Sequence, residues 1–130
     1  MPSERVLVVE DHPESAEGLA VLLDIWGYEA HVAHDGGGAL ALARDVAPEV
    51  VVADIGLPGM DGIELARAIR TLVTSNPPFL IALTGRRVEE IAQLGVFDHV
   101  LRKPVDVQEL ERVLHDRSRV LHDRRALASR

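Results

Sequence analysis

Four short apolar runs, each stopped by a polar residue, constrain this chain more than any other feature. Three are unbroken, Val6-Leu7-Val8-Val9 before Glu10-Asp11, Val50-Val51-Val52-Ala53 before Asp54 and Phe79-Leu80-Ile81-Ala82-Leu83 before Thr84, and the fourth, Val96 to Leu101 before Lys103-Pro104, is interrupted by Asp98-His99. Apolar runs without polar alternation are strands buried on both faces, as a parallel sheet covered on both sides requires. Between them lie longer segments of helical period. Pro13 suits a first helical turn, and Ala16, Leu19, Ala20, Leu22 and Leu23 form a stripe that ends at Gly27. Tyr28 to Ala33 is a weaker strand candidate. Asp35 is placed to cap a helix with Leu40, Leu42 and Ala43 that ends before Pro48. Asp61 is placed to cap another with Leu65, Ala68, Ile69 and Leu72 on one face. A short helix fits Val88 to Leu94, and a closing helix carries Val107, Leu110, Val113, Leu114 and Leu121. The expected fold is α/β: five βα units making a doubly wound, five-stranded parallel sheet with helices on both faces.

Composition narrows the function. With 130 residues the chain makes one compact domain, placed at 1–118, with 119–130 as a C-terminal helix extension or tail. Residues 117–130, with Arg117, Arg119, Arg124, Arg125 and Arg130, are expected to extend the last helix and then fray as a solvated segment. The absence of cysteine excludes disulfides, thiol catalysis and cysteine-ligated zinc. No apolar run approaches the roughly 20 residues of a membrane span, and the polar start Met-Pro-Ser-Glu-Arg is unlike a secretory signal. The expected compartment is therefore the cytoplasm, with no membrane contact. A net charge of −7 argues against direct nucleic-acid binding. Charge is uneven, with 8 basic against 19 acidic residues over 1–111 and 6 against 2 over 112–130.

In a doubly wound sheet all strands end at one edge, and ligands bind there. Glu10, Asp11, Asp54, Thr84 and Lys103 consequently meet at one rim. Crowded carboxylates repel unless a cation compensates, and an all-oxygen set with water access suits Mg²⁺. A divalent ion beside a carboxylate, a hydroxyl and an ammonium is the equipment of phosphoryl transfer. Asp54, after the most apolar strand, is the best nucleophile, capable of forming an aspartyl-phosphate, and Gly56 and Gly59 beside it allow close backbone approach. Thirteen of the fourteen basic residues are Arg, so a lysine at position 103 alone is notable where a compact point charge is needed.

These residues resemble the receiver domain of two-component response regulators. The likeness runs from Val6 to about Leu114 and includes Glu10-Asp11, the stretch Asp54 to Gly62, Thr84-Gly85, and Lys103-Pro104-Val105-Asp106. It is most similar to receivers of hybrid histidine kinases and to stand-alone regulators, and it implies a flavodoxin-like fold. The resemblance implies that Asp54 is the phosphoacceptor and that Glu10, Asp11, Asp54 and the Gly56 carbonyl hold Mg²⁺, Glu10 through a water. It also implies that Thr84 and Lys103 bind phosphoryl oxygens, and that the backbone N–H groups of Ile55 and Gly85 complete the cradle. The chain would be a switch rather than an enzyme, though it assists its own phosphorylation and dephosphorylation. Its donor would be a histidine kinase or histidine phosphotransfer protein, its output a protein target, and its output face a candidate homodimer surface.

Two departures fall on that output face. Val100 occupies the position where the family usually has an aromatic or His, so no large ring is available to swing. The segment from Thr84 to Lys103 is about one helical turn short, which points to a truncated fourth helix. A degenerate receiver acting only as an interaction module is therefore the alternative, and intact Asp11, Asp54, Thr84 and Lys103 weigh against it. A small nucleotide- or flavin-binding protein is a third reading. The stretch Gly36-Gly37-Gly38-Ala39-Leu40-Ala41 imitates a dinucleotide fingerprint, but it follows the second strand rather than the first and reads as helix entry. The six histidines lack metal-ligand spacing and read as surface residues, with His12 as a modulator of the acidic pair. Trp26 reads as packing at a helix end.

Overall fold

The apolar runs form strands. The computed structural model describes residues 3–72 and 76–128, with side chains described as far as residue 117. Strands β1 (Arg5–Val9), β2 (Glu29–Ala33), β3 (Val50–Asp54), β4 (Phe79–Thr84) and β5 (His99–Arg102) make one parallel sheet in the order β2-β1-β3-β4-β5. Helices α1 (Pro13–Ile25), α2 (Gly36–Val46), α3 (Gly62–Leu72) and α4 (Val88–Ala92) form the crossovers, and α5 (Val107–Ala128) follows β5.

Strand side chains alternate between faces, and the core divides accordingly. Leu7, Val9, Val51, Ala53 and Leu80 pack with Ala39 and Ala43 of α2 and Leu65, Ala66 and Ile69 of α3. Val6, Val8, Val50, Val52, Ile81 and Leu83 pack on the opposite face with Leu23 of α1 and Leu110 and Leu114 of α5. All five residues of the central strand β3 are buried, including Asp54 at its end.

Helix boundaries follow local chemistry. Pro13 opens α1, and Gly27 follows that helix at φ 94°, a left-handed conformation that favours glycine. Asp35 Oδ1 accepts the Gly38 N–H at 2.7 Å, so the glycine-rich stretch is a capped helix entry. Asp61 Oδ1 likewise accepts the Glu64 N–H at 2.8 Å. Trp26 packs half-buried at the end of α1, as its position suggests.

Three expectations need correction. The last strand begins at His99 rather than Val96. The Val96 carbonyl is taken by Arg70 Nε at 2.8 Å, and at Asp98 the N–H donates to the Leu80 carbonyl while the carboxylate accepts the Leu80 N–H, each at 2.8 Å, so side chains take part of the pairing before His99. Helix α4 stops at Ala92 rather than Leu94, because the chain then turns through Gly95 at φ 68°. Arg117 is not solvated but buried on α5, where it pairs with Glu4 before β1. The side chains of Arg119, Leu121, His122, Arg124 and Arg125, and residue Arg130, lie outside the described set.

Gly62 controls how closely α3 approaches β3. A Cβ there would lie 2.4 Å from the Asp54 carbonyl oxygen and 2.8 Å from Ile55 Cα. Both atoms are backbone, so Gly62→Ala should destabilise by about 1–3 kcal/mol, read as a lower urea midpoint. At the opposite edge, Glu49 Oε1 pairs with Arg5 Nη2 at 3.0 Å, tying the starts of β3 and β1. Burial pushes the Glu49 pKa up, but the Arg5 bonds and charge outweigh it and the net shift is downward. A depressed carboxylate stabilises the fold above its unfolded pKa and loses that contribution as pH falls through the folded value. Glu49→Gln should therefore shrink the drop in urea midpoint between neutral pH and about pH 3.

Candidate functional site: the carboxyl edge of the sheet

From β1 the chain leaves toward β2, and from β3 it leaves toward β4, so strand order reverses between β1 and β3 and opens a crevice at their carboxyl ends. Glu10 and Asp11 follow β1 directly, Asp54 ends β3, Thr84 ends β4, and Lys103 stands just past β5. Every residue expected at the rim arrives there.

Lys103 Nζ donates to Asp54 Oδ2 at 2.6 Å and reaches Glu10 Oε2 at 3.5 Å, joining three strand ends. Glu10 is 2% exposed, Asp54 6% and Thr84 1%, so these polar groups are withdrawn from bulk water. Burial pushes the Asp54 pKa up, but the Lys103 hydrogen bond, the Gly56 N–H at 3.0 Å and the ammonium charge outweigh it and hold the carboxyl below its ordinary range. Lys103 is displaced the other way: burial lowers its pKa, and Asp54 and Glu10 more than restore it. At neutral pH the pair is ionised. Thr84 Oγ1 accepts the Arg86 N–H at 2.9 Å, which leaves the hydroxyl proton free to donate.

One expected cradle donor is committed elsewhere. The Ile55 N–H donates to the Leu83 carbonyl at 3.0 Å, extending the β3–β4 pairing beyond the strand, so it cannot also serve an anion. The donor directed at the Asp54 carboxylate is the N–H of Gly56. Gly85 sits exposed at the rim.

The donor chemistry fits a hard divalent cation. Asp11 Oδ1 is a buried atom that accepts no hydrogen bond, and the Glu10 carboxylate lies close to it. Among the described residues, ligand atoms of Glu10, Asp11 and His12 lie within 4.8 Å of one another. His12 is an exposed residue beside the acidic pair, the place expected of it. His12 Nδ1 lies 3.0 Å from Glu10 Oε1 and 3.2 Å from Asp11 Oδ1, and the Glu10 bond, followed by the Asp11 and Glu10 charges, raises its pKa. His34 Nδ1 lies 3.0 Å from the Glu10 carbonyl oxygen. The sequence signal for His12 is adjacency to the acidic pair; His34 becomes legible only once β1 and β2 are known to be neighbours.

Toward the output face, Val100 packs with Ile55, Ala82 and Ile91, together with Phe97. This cluster links the residue after Asp54 to α4 and β5.

A doubly wound parallel sheet whose crevice gathers buried carboxylates, a hydroxyl and a lysine defines the class as a CheY-like α/β domain. The chain belongs to the response regulator receiver domain family, whose model matches residues 6–115. It is 36% identical over 110 residues to the DNA-binding response regulator MtrA of Mycolicibacterium smegmatis, covering 82% of this chain and 47% of MtrA. It is 32% identical over 115 residues to Protein PilH of Pseudomonas aeruginosa, covering 85% of this chain and 94% of PilH. The response regulator TrrA of Thermotoga maritima, solved in complex with Mg²⁺ and BeF, superposes with a TM-score of 0.78 at 29% identity, over 87% of this chain and 97% of that one. The chain spans less than half the length of MtrA and of several other curated regulators it matches. No helix among the described residues is long and apolar enough to cross a membrane.

Replacing Lys103 by Met removes the hydrogen bond and charge that hold Asp54 down while keeping most of its desolvation. The Asp54 pKa should rise above the ordinary carboxylate value, read by carboxyl-carbon NMR titration of Lys103→Met against the parent.

Proposed function

We propose that this receiver domain is a phosphorylation-operated switch in which Asp54 accepts a phosphoryl group from the phosphohistidine of a histidine kinase or phosphotransfer protein. The observation that carries the reading is the buried, ionised Asp54 held by Lys103 at 2.6 Å at the end of the central strand. In the transfer, an Asp54 carboxylate oxygen bonds to phosphorus as the phosphorus–nitrogen bond breaks, and the departing imidazole retains the electron pair and takes up a proton. Lys103 neutralises one phosphoryl oxygen, the Thr84 hydroxyl donates to another, and the N–H groups of Gly56 and Gly85 complete the cradle. Glu10, Asp11, Asp54 and the Gly56 carbonyl would hold Mg²⁺, whose bound charge offsets the negative phosphoryl oxygens. The TrrA complex with Mg²⁺ and BeF supports this cofactor by likeness.

Output follows from Thr84. Its hydroxyl oxygen accepts the Arg86 N–H, and its free proton is drawn toward a phosphoryl oxygen on Asp54. The short α4 and the Val100 cluster then repack without a swinging ring, changing a face that engages a protein target or a second copy. The switch works in the cytoplasm beside its kinase, without touching nucleic acid itself, and is not an enzyme acting on a separate substrate.

Incubation with Mg²⁺ and acetyl phosphate should add one phosphoryl group to the intact mass of the parent and none to Asp54→Asn. A parent that gains nothing supports the alternative, a receiver locked in one state that acts only by interaction. Lys103→Ala should still take up phosphate yet lose the phosphorylation-dependent amide shifts around Val100 in NMR spectra. Unaltered shifts in that variant would count against the role given to Lys103.

A further inference from the structure

We infer that His34 is a positioning residue of the switch: its ring holds the Glu10 carbonyl, and through that peptide it sets the direction in which Glu10 and Asp11 present their carboxylates. The inference rests on the reading of Asp54 as a phosphoacceptor served by the acidic pair, and it assigns a residue that this reading leaves unused.

The contact begins where the strand ladder ends. β1 pairs with β2 as far as Val9 opposite Ala33, so residues 10 and 34 are the next to face each other. The Glu10 N–H still reaches the Ala33 carbonyl at 3.0 Å. The Glu10 carbonyl is taken by a side chain, His34 Nδ1 at 3.0 Å. Residue 10 is therefore held from β2 at both its N–H and its C=O. Because a peptide group is planar, fixing the Glu10 carbonyl also fixes the Asp11 N–H and Cα.

Direction matters as much as rigidity. β2 lies on the other side of β1 from β3. The bond to His34 turns the negative end of the Glu10 peptide toward β2, away from the crevice where Lys103 meets Asp54 and the Glu10 carboxylate. In a site already crowded with carboxylates, one more oxygen turned inward would add repulsion.

His34 is itself delivered on a fixed backbone. Ala33 before it lies in the ladder, and Asp35 after it caps α2 by accepting the Gly38 N–H at 2.7 Å. The imidazole is exposed, so replacing it removes the bond without opening the core. A carbonyl only accepts hydrogen bonds, so the contact requires the proton on Nδ1.

Phosphorylation by acetyl phosphate and Mg²⁺, followed by intact mass, is compared in the parent, His34→Ala and His34→Asn, together with NMR of the metal-free proteins. Asparagine carries its side-chain N–H on Cγ, as Nδ1 of histidine is carried, and serves as the conservative replacement. His34→Ala should lower the phosphorylation rate by roughly tenfold and raise the Mg²⁺ concentration needed for half-maximal rate, with a urea midpoint close to that of the parent. His34→Asn should restore most of the rate. Proton–nitrogen correlation spectra of the metal-free parent should place the ring proton of His34 on Nδ1. The Glu10 carbonyl carbon should shift in His34→Ala and return toward its parent position in His34→Asn. Equal rates in the parent and His34→Ala, no recovery in His34→Asn, or a ring proton on Nε2 alone would each overturn the proposal. A parent that gains no phosphoryl group overturns it as well by removing the reading beneath it, a failure recognisable because the parent and both variants are then equally unmodified.

Discussion

The 2.6 Å contact between Lys103 Nζ and Asp54 Oδ2 joins two strand ends that lie 49 residues apart in the chain. It is the interaction that makes the carboxyl edge tenable. Three carboxylates in partly desolvated surroundings would repel and take up protons, and the ammonium keeps Asp54 ionised despite its burial. The remainder of the fold supplies the geometry. Fully apolar β3 delivers Asp54, Gly62 lets α3 close against the strand end, and the Lys103 N–H donates to the Thr84 carbonyl at 2.8 Å, anchoring the lysine backbone beside β4.

Sequence was most informative where local chemistry and global topology agree. Apolar-rich runs ending at polar or charged residues define both strand and site, so the sheet and the convergence of Glu10, Asp11, Asp54, Thr84 and Lys103 could be inferred before any coordinates. The caps at Asp35 and Asp61 were legible for the same reason. What escaped depended on long-range partners. Val96 looks like strand by composition, but Arg70 from α3 takes its carbonyl. Arg117 looks like tail by charge, but α5 turns it inward to a carboxylate 113 residues earlier. The Ile55 N–H looked available until β4 was seen to take it. In each case a tertiary hydrogen bond or ion pair overrode a local signal.

The carboxyl edge keeps the residues of the family pattern, whereas the departures are the short α4 and Val100, which packs with Ile55, Ala82 and Ile91. A five-residue α4 offers little surface to slide, and the Arg70–Asp98 pair at 3.2 Å ties the loop after it to α3.

The central claim is that one acid, at the end of the middle strand, carries the phosphoryl group. Borohydride reduction of the acetyl-phosphate-treated protein, followed by peptide mapping, addresses it most directly, because hydride converts an aspartyl-phosphate to homoserine and leaves free carboxylates unchanged. Homoserine at position 54 and nowhere else is the expected result. Homoserine at position 10 or 11, or none from a protein whose mass shows an added phosphoryl group, would contradict the account.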